Sequence, residues 1–230
     1  DHMFASAGQF NQDLTNWIVS SVTIMPYMFS SAIAFNNGDS TNPLTWNTSK
    51  VTSMEGMFWG ATSFNQDIGS WDMRKVQKIS YMFNGATAFN NGGSSNIGNW
   101  QIKSTLADMT GMFQGTSSFN QDIGNWNVSN VTNMHIMFQA AHSFNQDITN
   151  WDVKSVTNME EMFKNATAFN RDIRAWTVNV NVNLNDMFNN ATEMQNTYAG
   201  TAGFGNSSNN WTPLFYWFGF QPTTNEIFQA

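Results

Sequence analysis

Tryptophan returns along this chain at Trp17, Trp46, Trp71, Trp100, Trp126, Trp151 and Trp176, at steps of 29, 25, 29, 26, 25 and 25 residues. A Met-Phe pair keeps the same beat, from Met3-Phe4 and Met28-Phe29 through Met162-Phe163 to Met187-Phe188. Units of this size cannot bury an apolar face alone, so the period predicts units that stack on one another. The expected organisation is a run of about seven repeats over 1–192, followed by a C-terminal cap or docking tail over 193–230.

One unit, Ile123 to Asn145, illustrates the reading. Its apolar positions are Ile123, Trp126, Val128, Val131, Met134, Met137, Phe138, Ala141 and Phe144. Trp126 and Val128 stand two apart, which predicts a strand with one buried face. Val131, Met134, Met137 and Ala141 step by three and four, which predicts one face of a helix. Thr52 with Glu55, and Thr157 with Glu160, have capping-box spacing and place a helix start at each Thr. The initial apolar spacing fits the L-x-x-L-x-L frame of leucine-rich repeats, with Trp in the second slot. The expected fold is therefore an α/β solenoid. It would be a leucine-rich-repeat-like right-handed superhelix, with a parallel sheet on one face and short helices on the other. A β-helix is the competing architecture.

The loop Phe is always followed by Asn: Asn11, Asn36, Asn65, Asn90, Asn120, Asn145 and Asn170. A small amide at a fixed corner is expected to satisfy turn backbone in its own and adjacent units. Asp13, Asp67, Asp122, Asp147 and Asp172 follow two residues later, as turn caps or as a calcium-binding edge. The Met stripe suits core filling better than heme or copper ligation. Two return loops are longer than the rest, at Asn36 to Pro43 and Asn90 to Asn96. They are either a binding edge or neutral drift.

Charged residues make up only 11% of the chain and the formal net charge is −7, so the exterior must be mostly uncharged and polar. No basic stripe suits nucleic acid. No apolar run is long enough to span a membrane. Without cysteine, disulfides and thiolate metal sites are excluded. His135 and His142 stand seven apart, too far for the adjacent-turn zinc spacing. No nucleophile, acid and base recur together, so the chain is expected not to be an enzyme, and no cofactor is expected. The candidate partner-binding residues lie on the strand face: Asp72, Arg74, Gln101, Lys103, Asn127, Asp152 and Lys154. Sequons at Asn47, Asn127, Asn130, Asn165, Asn190, Asn206 and Asn210 fit the composition, and a glycan at Asn127 would block that face. Trp211 to Phe220 is too apolar to sit in water, and either caps the last repeat or docks a partner. The chain opens within a repeat, so further sequence upstream is expected.

The phrase Ala-x-Ser-Phe-Asn-Gln-Asp-Ile-x-x-Trp-Asp/Asn-Val-x-x-Val-Thr-Asn-Met-x-x-Met-Phe runs nearly intact from Ser118 through Phe163. It resembles the 25-residue repeat of mycoplasmal surface lipoproteins, domain of unknown function 285, and through it the BspA-like leucine-rich repeats of bacterial surface proteins. The resemblance implies an extracellular or cell-surface location. It also implies adhesion or protein binding, with a protein or glycan partner or copies of the chain itself. The alternative is a structural repeat subunit packing in a larger assembly or filament.

Overall fold

The computed structural model describes residues 1–219. The 25-residue period survives in it as layers, each laid against the next. The elements expected within each layer do not form. Among the described residues there is no β-strand, and parallel pairing is limited to isolated bridges such as Ile24 with Ser53 and Asn133 with Asn158. The one α-helix among them, α1 (Thr192–Tyr198), follows the last repeat. Short 3₁₀ segments complete the regular structure: Asn37–Asp39, Asn91–Gly93, Ser95–Asn99, Ser207–Asn209 and Phe215–Phe218. The expected parallel-sheet solenoid with helices on its other face, and with it the leucine-rich-repeat-like superhelix, is therefore corrected to an architecture of loops and tight turns.

The physical reason lies in where the backbone N–H groups go. In the expected helix, the N–H groups of Met137, Gln139 and Ala141 close tight turns onto the carbonyls of Met134, Ile136 and Phe138. The intervening N–H groups of Met134, Ile136, Phe138 and Ala140 instead reach the next layer, at the carbonyls of Asn158, Glu160, Met162 and Lys164. Ile136 and Ala140 hold positive φ, 50° and 55°, which no α-helix accommodates. Tyr81 and Gly85, and Glu161 and Asn165, repeat that geometry one layer after another. A succession of such turns spaces buried side chains by three and four as a helix does. Thr52 and Thr157 cap no helix, since each gives both its N–H and its hydroxyl to a carbonyl of the preceding layer, Thr23 and Thr132.

In the expected strand, N–H groups are again spent locally. Trp126 donates to Ile123, Val131 donates to Val128, and Ser129 donates to the Asn127 side chain. An Asx residue that captures the N–H two positions on competes directly with a sheet ladder.

The core is continuous from layer to layer. Phe29, Phe58, Phe83, Phe113, Phe138, Phe163 and Phe188 form one column of stacked rings, with centroids 5.6–5.9 Å apart. Phe35, Phe64, Phe89, Phe119, Phe144 and Phe169 form a second, and within a layer the two columns touch, as at Phe58–Phe64, 3.7 Å. The Met residues of the Met-Phe pairs from Met57 to Met187 are fully buried beside them. Each indole from Trp46 to Trp176 is buried and donates its Nε1–H to a carbonyl of the layer before it, for example Trp126 to Ile97 at 3.0 Å. Trp17 differs, being 39% exposed.

Beyond the last repeat, Phe204 and Trp217 pack on Phe188, and Phe218 stacks on Trp176 at 6.5 Å. Leu214 and Tyr216 of the same segment stay exposed. Phe220, the end of the aromatic stretch, lies outside the described residues.

Candidate functional site

The return-loop corner is built on the Asn column. Asn65 Oδ1 accepts the backbone N–H of Asn90 at 2.8 Å and of Gly92 at 2.9 Å. Asn11, Asn36, Asn90, Asn120 and Asn145 each accept the corresponding Asn N–H of the following layer. The column ends at Asn170, whose buried Oδ1 has no partner, because α1 replaces the next return loop. The Asp column closes Asx turns: Asp13, Asp67, Asp122, Asp147 and Asp172 accept the N–H two residues on. Hydrogen bonds from Thr149 to Asp147 and from Arg174 to Asp172 hold both carboxyls below the ordinary Asp range. Among the described residues no group of three or more His, Cys, Asp or Glu converges to hold a metal ion.

Asp72, Gln101, Asn127 and Asp152 occupy one register position in four successive layers, each directly after its Trp. They lie along an edge of turns and not on a sheet face. Asp72 pairs with Arg74 at 2.6 Å, and that side-chain hydrogen bond is the main cause of its lowered pKa. Asn127 binds the N–H and hydroxyl of Ser129. Asp152 accepts the N–H of Lys154 at 3.3 Å, with its ammonium at 3.9 Å. Gln101 donates to the Asn99 carbonyl, and Lys103 is half-buried. Each of these polar groups except Lys103 is engaged within its own turn, and the structure gathers them into no shared pocket.

The two expanded loops do create a concavity. A polar cleft of about 380 Å³ opens among Asn36, Asp39, Ser40, Thr41, Asn42, Pro43, Asn65, Gln66, Asp67 and Gly92. Its floor is Gln66, whose Nε2 donates to the Asn36 carbonyl, the Asn36 side chain and the Ser40 carbonyl. Gln66 Oε1 is buried without a partner. The walls are held by Asp39, which binds the amides of Asn11 and Asn36, and by Asp67, which binds that of Asn96. No Lys or Arg lines the cleft, so its chemistry favours hydrogen-bond donors over anions. The loop expansions were legible from the repeat steps. Gln66 and Asp67 carried no such signal, since they sit in a plain repeat and become site residues only because longer loops flank them.

Residues 1–95 and 91–201 match the family described as Mycoplasma protein of unknown function, DUF285. The chain belongs to that family. The match stops there: with no strand among the described residues and tight turns in place of helices, the wider kinship to BspA-like leucine-rich repeats is corrected along with the fold. No curated protein matches the chain.

Proposed function

We propose that the chain is a non-enzymatic binding module that recognises a protein or glycan, displayed outside the cell or at its surface. The observation that carries this reading is the cleft between the expanded loops, with the unpartnered Gln66 Oε1 in its floor. Buried polar groups are rarely left unpaired, and a neutral ligand rich in hydroxyl or amide N–H groups matches such a lining. The sparse charge and the Asn-, Ser- and Thr-rich exterior support contact through many hydrogen bonds. The alternative, a subunit packed within a larger assembly, is favoured by the exposed apolar side chains of the first layer.

The test is a glycan and peptide array probed with the chain and with Thr41→Trp, which fills the cleft from an exposed position. Binding that weakens about tenfold or more in Thr41→Trp, and persists in Lys154→Ala, is expected. An array without hits, or hits that Thr41→Trp leaves unchanged, would remove the cleft as the binding site.

A further inference from the structure

The first layer differs from all others in what it exposes. Trp17 is 39% exposed, whereas its counterparts Trp46 to Trp176 are at most 3% exposed, and Met3 is 65% exposed where Met57 is fully buried. Three further positions are apolar here and polar in later layers. Ile18 follows Trp17 as Asp72 follows Trp71, and it is 91% exposed. Ile24 bridges to Ser53, which bridges to Lys78. The carbonyl of Ile33 accepts from Thr62, and that of Thr62 from Thr87, so these three share one column. A sequence that keeps these surface positions polar elsewhere and makes them isoleucine at one end marks that end as covered.

The same end carries unpaired backbone groups in a definite arrangement. Carbonyls of Met28 and Ser30 accept the N–H groups of Phe4 and Ser6, but those of Met3 and Ala5, in the same register, accept none among the described residues. Ala34 N–H donates to Gly8, Asn36 N–H to Asn11 Oδ1, and Trp46 Nε1–H to Leu14. The corresponding donors of the first layer, Gln9 N–H, Asn11 N–H and Trp17 Nε1–H, have no acceptor among the described residues. Acceptors and donors therefore lie on separate segments of one face, around 3–5 and 9–17.

We infer that two copies of this chain join face to face through their first layers. A twofold axis across that face lays the acceptor segment of one copy against the donor segment of the other, and buries both Trp17 rings. Charge does not oppose the contact, since residues 1–35 contain neither Lys nor Arg and only two of the sixteen acidic residues, Asp1 and Asp13. The opposite end is covered by Phe204, Trp217 and Phe218, which leaves no matching face for head-to-tail growth. The assembly closes at two. This pairing does not depend on the loop cleft.

Light scattering on the intact chain, from low micromolar to hundreds of micromolar, is the test. A dimer mass that falls to the monomer mass on dilution is expected. Ile18→Asp and Ile24→Lys install the residue types that later layers carry at these positions. They should weaken the dimer by about tenfold or more with unchanged thermal melting of the monomer. A monomer at every concentration would overturn the inference, and so would a ladder of species above the dimer. Dimers that persist in both variants would overturn it too. Success or failure here leaves the array result at the cleft unaffected, so the two readings are separable.

Discussion

Asn65 holds two backbone N–H groups of the following layer on a single side-chain oxygen, and this is the economy on which each corner depends. A hydrophobic residue of similar size would fill the space and leave both donors unsatisfied. Asn65→Ala is expected to destabilise the chain by about 1–3 kcal/mol, the cost of stranding a partly buried donor, measured by urea unfolding. The role of this Asn column was legible in the sequence because an invariant amide at a fixed loop position has few other uses. The Asp column was less legible. Its side chains close local turns, a use that leaves the same trace in the sequence as a row of metal ligands.

Among the elements of a layer, the Trp position shows what a ring alone does not supply. Phe can fill much of the space of an indole but has no N–H for the carbonyl of the preceding layer. Trp126→Phe leaves the Ile97 carbonyl unpaired in the core and opens a small void. A loss of about 1–3 kcal/mol is expected, read as a lower Tm by circular dichroism. The same scale explains why strand and helix were expected and neither formed. Val131, Met134, Met137, Phe138 and Ala141 are all buried, as their spacing requires. The spacing does not say whether three- and four-residue steps come from one helix or from linked turns. That choice was made by the left-handed residues Ile136 and Ala140, neither of them a residue type that announces positive φ.

For the whole molecule, acid is the informative perturbation. Asp72, Asp147 and Asp172 have folded pKa values lowered, by hydrogen bonds from Arg74, Thr149 and Arg174 respectively. A carboxyl depressed in the folded state contributes stability above its unfolded pKa, about 3.9 for Asp, and loses it as pH falls through the lower folded value. Tm is therefore expected to hold level from neutral pH to about pH 5 and to drop below about pH 4, where the unfolded chain takes up protons more readily. Thermal melts across that range check this, and a Tm that is flat down to pH 3 would show that the Asx turns contribute nothing. The dimer adds a second dependence, since association makes Tm rise with protein concentration.

Sequence alone determined the period, the register of the layers and the inward face of nearly every aromatic and methionine, because a recurring apolar pattern in water has one place to go. It also located the two expanded loops, as departures from the step of 25. Tertiary structure decided the rest. Backbone N–H groups were shared between local turns and the next layer, which set turns in place of sheet and helix. Gln66 and Asp67 acquired a cleft from their neighbours' loops. Asp72, Asn127 and Asp152, the most plausible contacts on a strand face, were taken up by their own turns. Those outcomes depend on which of two competing hydrogen-bond partners each donor finds, and that is settled only when the layers come together.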